Sequence, residues 1–174
     1  MSRIVTFILT CWLFLCPGHV QGQRISYKAQ SLYLYKMARY VSWPEEGREG
    51  DFIIGVLGNS PVLSELELMA ALKKAPGGRT IVIKSIQSTS DIGNLHLLFL
   101  TSSRSRELKK VQLELLDRPV LIVAERDGLA RRGAAVSFLI MENGVLRFEV
   151  NTTELKAHRL EMAQEFLQLG FQID

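Results

Sequence analysis

Cysteine is almost missing from this chain. Cys11 and Cys16 are the only two, and both fall within the first 22 residues. If that segment is removed on export, no thiol remains, which excludes a disulfide framework, cysteine-ligated zinc and thiol catalysis. Histidine is nearly as sparse. His19, His96 and His158 are too far apart for any pair to show metal-ligand spacing, so no metal site is expected. Charge of one sign is also lacking. With 21 basic and 18 acidic residues, losing Arg3 leaves a net charge of about +2, too small to imply nucleic acid as a partner. Finally, no apolar run reaches the ~20 residues that span a bilayer.

The longest apolar run is Ile4 to Cys16, preceded by Arg3 and followed by His19-Val20-Gln21-Gly22. A positive start, a short apolar core and small residues before a cut after Gly22 read as a secretory signal. An uncleaved anchor is the alternative. The expected organisation is therefore a signal peptide at 1–22 and one α/β domain at 23–174, a length suited to a single unit.

What is there begins with Tyr27 to Pro44. Ala29, Leu32, Tyr33, Lys36, Met37 and Tyr40 follow helical spacing, with Leu34, Ala38 and Val41 widening the stripe. Pro44 ends the helix, because proline disfavours the α region in the residue before it. Tyr27, Tyr33, Tyr35, Tyr40 and Trp43 are many aromatics for one packing helix. Most read as a structural stripe at a core edge. Tyr35, Tyr40 and Trp43, with Arg39 beside them, are the candidates for contact with a partner, since aromatics and arginine dominate interfaces. This helix is expected to lie outside the crossover helices of the sheet, free to pack on a neighbour.

Beyond it, 51–58 and 96–101 are apolar throughout, 79–86 alternates, and 119–125 opens on a proline. Strands buried on both faces read this way. Between them, Ser60-Pro61 starts a helix to about Lys74, and Ser102 to Ser105 caps another to Leu116. The runs 134–141 and 145–151 flank Glu142-Asn143-Gly144, a hairpin signal. A last helix is expected from Thr152 to Leu169. The pattern predicts a three-layer α/β sandwich: a mostly parallel sheet flanked by helices, with a C-terminal antiparallel hairpin.

No nucleophile with its base and no paired carboxylates form a catalytic constellation, so no catalytic residue is assigned and no enzyme is expected. Gly55-Val56-Leu57-Gly58 lacks the spacing of a dinucleotide loop, and no cofactor is expected. Open α/β sheets carry a crevice at the carboxyl ends of their strands. Here Asn59, Ser60, Ser102, Ser103, Arg104 and Arg106 would line it and could hold an anion, although ordinary capping puts the same residues there. A second candidate ligand site is the polar face of the last strand, Arg147, Glu149 and Asn151, with His158 and Arg159 nearby.

Taken in order, LYLYKMARYVSWP, DFIIGVLGNSPVLSEL, GRTIVIKSI, HLLFLTSSRSRELKKV and RPVLIVAERDGLARRGAAVSFLIMENGVLRFEVN resemble the YfiR-like family. The resemblance runs from about Tyr27 to Leu169. It implies a periplasmic α/β regulator that represses a membrane-bound diguanylate cyclase by binding that enzyme's periplasmic sensory domain. A kinase-type signalling protein is the related partner. An outer-membrane or peptidoglycan-linked partner would relieve repression, with cyclic-di-GMP, exopolysaccharide and biofilm as the output. Separately from the resemblance, action by protein contact as a homodimer is expected. The rival reading is a periplasmic module that senses a small anion.

Export fixes one measurable outcome. The intact mass of the protein recovered after export should correspond to a chain starting at Gln23, and thiol alkylation should add nothing to it. A mass that retains residues 1–22 would establish the anchor instead.

Overall fold

The computed structural model describes residues 26–174; the expected signal segment lies outside the described residues. The elements in order are α1 (Tyr27–Tyr40), β1 (Val41–Ser42), β2 (Phe52–Leu57), α2 (Val62–Leu72), β3 (Ile81–Ile86), β4 (Leu97–Leu100) and α3 (Leu108–Glu114). Then come β5 (Leu121–Ala124), β6 (Val136–Ile140), β7 (Leu146–Asn151), α4 (Thr152–Ala157), β8 (Glu161–Met162), α5 (Gln164–Leu167) and β9 (Phe171–Ile173). Seven strands form one sheet in the order β3-β2-β4-β5-β6-β7-β9, while β1 and β8 make a separate two-stranded ribbon. The sheet is parallel from β3 to β6, and β7 turns back antiparallel on β6.

The apolar strands bury side chains on both faces. Ile54, Val56, Leu97, Phe99, Leu121 and Val123 belong to the core that α1, α2, α4 and α5 cover. Leu57, Leu98, Leu100, Ile122 and Ala124 belong to a second core beneath α3 and the 3-10 turn Thr89–Asp91. Residues alternate between two covered faces, so both parities of each strand must be apolar. That is the three-layer sandwich the sequence implies. Ser60 accepts from the Val62 N–H at 3.3 Å, but Pro61 stands at the N-cap of α2 and Val62 opens it, one residue later than the sequence suggests. The hairpin closes through Glu142–Gly144, with Gly144 at φ +78° and its N–H donated to Met141 O at 2.8 Å. Only glycine takes that left-handed turn position without strain.

Two further expectations need correction. First, α1 is not an outlying element. Leu34, Met37 and Ala38 are almost wholly buried, and Tyr33 packs edge-on to Phe148 at 5.3 Å. The inward face is rotated from the stripe read in sequence. Gln30 and Ser31 are buried, whereas Leu32 and Tyr40 stay exposed. Second, the expected helix 152–169 stops at Ala157. Arg159 sits at φ +55°, its N–H bonds to Lys156 O, and the Leu160 N–H reaches back to Leu155 O. These two bonds and the contact-ready pair Leu155 and Leu160, both buried, make a Schellman stop with arginine where glycine is usual. The chain then turns to pair β8 with β1, Ser42 opposite Glu161.

Because α1 is part of the core, Leu34→Ala should cost roughly 2–5 kcal/mol of unfolding free energy, the range for deleting a buried leucine. Urea titration checks it. A cost near zero would make α1 a peripheral addition after all.

Candidate functional site

The side chains with the densest chemistry gather at the amino-terminal edge of the parallel strands, opposite the edge where the sequence places an anion crevice. Phe52 opens β2, Arg79 precedes β3, and His96 precedes β4. Trp43, just past β1, folds over them. Its indole N–H donates to His96 O at 3.2 Å, and its ring stands edge-on to Phe52 at 5.0 Å. The Phe52 ring stacks on His96 at 4.7 Å. Trp43 was expected as an exposed contact residue; at 5% exposure it is a core residue, held by that cluster.

Arg79 fastens the loop before β2. Its guanidinium donates to the carbonyls of Gly50, Gly47, Glu49 and Asp51 at 2.7 to 3.2 Å and lies over the Phe52 ring at 5.6 Å. Burial pulls its pKa below the ordinary arginine value, opposed by the Asp51 charge. His96 completes the arrangement. Its Nδ1 accepts from the Ile53 N–H at 3.0 Å, so the neutral ring carries its proton on Nε2. That nitrogen lies 2.9 Å from Arg79 Nη2, with the Gly47 carbonyl also in reach. A second proton would evict the Ile53 amide and set a cation beside the guanidinium. Burial first, and Arg79 second, push the His96 pKa down to about 4.

On the side of this cluster toward α1 and the β1/β8 ribbon basic side chains predominate, while Glu46, Glu49 and Asp51 line the hollow on its other side. Arg39 and Arg48 flank a hollow of about 390 Å³ whose floor is Ala38, Val41, Trp43 and Phe52. A neighbouring hollow of about 400 Å³ shares Ser42, Trp43 and Arg48 and adds Lys156, Arg159 and Glu161. Arg39 donates to Tyr35 Oη at 3.3 Å, and Arg48 Nε donates to Trp43 O at 2.8 Å. Neither is in any of the three ion pairs among the described residues. Tyr40 is partly exposed at the end of α1, its ring stacked on Phe166 at 5.3 Å, which stacks in turn on Phe148. Tyr35, Arg39 and Tyr40 therefore share one end of α1 with Arg48, and Arg159 adjoins them across the ribbon.

The other sequence candidates go elsewhere. At the carboxyl edge, the Ser102 N–H already donates to Glu125 Oε2 at 2.7 Å. Arg104 pairs with Glu107 at 2.6 Å and also donates to Gln87 O. A protein carboxylate thus occupies the amide that would receive an anion. Asn59, Ser103 and Arg106 are exposed beside it, and Ser60 accepts from the Val62 N–H just ahead of α2. The second candidate site separates into two places. Glu149 is buried and accepts from Arg131 at 2.8 Å and from Ser137, while Asn151 caps α4 through the Glu154 N–H. His158 bonds Arg118 O at 2.7 Å, and Arg159 reaches Glu46 and Asp117 O at the amino-terminal edge. Arg147 is exposed. Sequence reasoning missed Arg79 and Arg48, and read His96 as an isolated strand opener. The partners of Arg79 and His96 lie 17 to 53 residues away, where no local period reports them, and Arg48 is held by the Trp43 carbonyl five residues before it, outside any helical spacing.

Protonation of His96 couples to folding. Its folded pKa, about 4, lies below the ordinary 6.5, so between those values the unfolded chain takes up a proton that the folded protein refuses. Stability from this group is lost as the pH falls through 6.5 toward 4. Unfolding midpoints in urea at about pH 7 and about pH 5 should fall for the wild type and fall less for His96→Asn, which keeps an acceptor. Equal falls would remove His96 from the acid response.

Comparison with known proteins bears first on the fold. One solved structure with the same arrangement is an ABC domain in complex with L-Trp from Streptococcus pneumoniae, at TM-score 0.52 and 11% identity, covering 71% of this chain and 55% of that one. Another is the ligand-free, open form of CD0873, a substrate binding protein with adhesive properties from Clostridium difficile. It gives TM-score 0.55 at 15% identity, covering 84% of this chain and 59% of that one. At such identities the likeness is one of fold, and this chain spans little more than half the length of either. No curated protein matches the sequence. The family comparison is the decisive one: the YfiR/HmsC-like model matches residues 27–170, nearly all of the described fold, and the chain therefore belongs to the YfiR/HmsC-like family.

Proposed function

We propose that this protein represses an inner-membrane diguanylate cyclase, or a related signalling kinase, by docking the basic face at the amino-terminal edge onto that enzyme's periplasmic sensor domain. Membership supports a periplasmic regulator of diguanylate cyclase at the level of the family. The observation that carries the surface is the set Arg39, Arg48, Lys156 and Arg159 around an apolar floor, with Tyr35 bonded to Arg39. Guanidinium groups over apolar ground suit carboxylates presented by another protein, giving fast association and register. Repression then works by population shift. Preferring the inactive sensor 10-fold over the active one needs about 1.4 kcal/mol. An outer-membrane or peptidoglycan-linked protein competing for the same face would relieve repression and raise cyclic-di-GMP, exopolysaccharide and biofilm.

A second reading is favoured by the same hollow: a small carboxylate or phosphate held between Arg39 and Arg48. The two readings part on one pair of variants. Under the docking reading, Arg39→Glu with Arg48→Glu should weaken capture of the membrane partner at least ~10-fold and release cyclase output, with normal protein levels and melting temperature. If repression survives that double change, the face is wrong. Under the small-anion reading, added phosphate or acetate should raise the melting temperature of the wild type and not of Arg48→Ala.

A further inference from the structure

On the opposite face of the sheet from α1 and α2, the helix α3 buries one side and leaves apolar groups on the other. Leu108, Val111 and Leu115 are buried in the second core, whereas Leu113 and Leu116 are 67% and 66% exposed. Three residues apart, the exposed pair falls together on the solvent side. Lys109 and Lys110 stand one turn before Leu113, and Arg106 precedes them in the 3-10 turn Ser102–Glu107; all three are exposed. A helix with one face in water normally turns polar residues outward, so paired leucines there mark a contact.

The composition of this face identifies the occupant. Once Arg104 has paired with Glu107, the stretch Ser102 to Arg118 sets four bases, Arg106, Lys109, Lys110 and Arg118, against two acids, Glu114 and Asp117. None of the four bases is in an ion pair among the described residues. The excess is positive and suits an anionic surface. Protein interfaces are enriched in aromatics and depleted in lysine. The stretch has no aromatic residue, and its outward side is leucine and lysine. That mixture suits a bilayer boundary, where lysine stems lie along apolar groups and their ammonium heads stay with phosphates. We propose that the α3 face rests on an anionic lipid bilayer, Leu113 and Leu116 entering the headgroup boundary while Arg106, Lys109 and Lys110 meet lipid phosphates. Two leucines and a few bases give weak, reversible attachment. The leucine end of α3 adjoins the amino-terminal edge, where the Asp117 carbonyl takes Arg159. Lipid contact there would hold the protein in the plane of a membrane-bound target and raise its effective concentration.

The test is co-sedimentation of the exported protein with vesicles. Phosphatidylglycerol mixed with phosphatidylethanolamine should carry it down, phosphatidylcholine should not, and added salt should release it. Lys109→Glu with Lys110→Glu should weaken binding at least ~20-fold, since each base near an anionic surface contributes about 5-fold. Leu113→Ser with Leu116→Ser should weaken it at least ~10-fold while circular dichroism stays unchanged, both side chains being largely in solvent. No binding to anionic vesicles overturns the proposal and leaves the face to another protein. Binding that is lost with the lysines but indifferent to the leucine changes overturns the insertion. Arg39→Glu with Arg48→Glu should sediment like the wild type; a loss there would move the lipid contact to the amino-terminal edge and overturn the assignment to α3, so failure here and failure of the docking reading remain distinct.

Discussion

One guanidinium holds the amino-terminal edge together. The segment 47–51 is largely exposed, so what it needs is a partner that fixes the position of carbonyls water would otherwise solvate. Arg79 answers four of them at once and closes the basket against Phe52. A lysine could not do this, since only the planar fork presents donors in several fixed directions. With the loop fixed, Trp43 can lie on Phe52 and His96, and the Trp43 carbonyl can hold Arg48 in place. The ribbon of β1 and β8 then anchors Tyr40 against Phe166. The basic face thus depends on one half-buried cation whose donors are turned inward.

The same dependence explains what the sequence reveals and what it hides. Strands buried on both faces read as apolar runs, and the serine and proline before α2 have a local mechanism, so the sandwich is legible from the chain. Local signals fail where the deciding contact is remote. The α1 stripe looks centred on Ala29, Leu32 and Tyr33, but packing on β6 and β7 turns Leu34, Met37 and Ala38 inward and takes Gln30 and Ser31 with them. The stop at Arg159 lacks the glycine that announces such a turn, because the side chain's bonds to Glu46 and Asp117 O offset the cost of a left-handed residue. The cluster of Arg79, His96 and Trp43 joins three segments that no spacing rule connects.

A parallel sheet has two unequal edges, and their chemistry here bears on which kind of partner the fold serves. The carboxyl edge is where such sheets usually receive ligands, since helix amino termini offer free amides there. In this chain Glu125 takes the Ser102 amide, Glu107 neutralises Arg104, and the stem of Arg104 fills the space that a side chain at Gly58 would need. That edge is closed by the protein's own groups. The amino-terminal edge is the reverse: Arg39 and Arg48 are held in position through Tyr35 and the Trp43 carbonyl, yet neither has an acid of this chain as partner among the described residues. Cations that are positioned but unneutralised carry most of their desolvation cost only when a partner arrives bearing carboxylates, and that favours discrimination over tightness. A regulator that must release its target on a signal is better served by such a face than by a sealed ligand crevice. For that reason the open, basic edge, and not the strand-end crevice of the shared fold, is the basis of the functional reading.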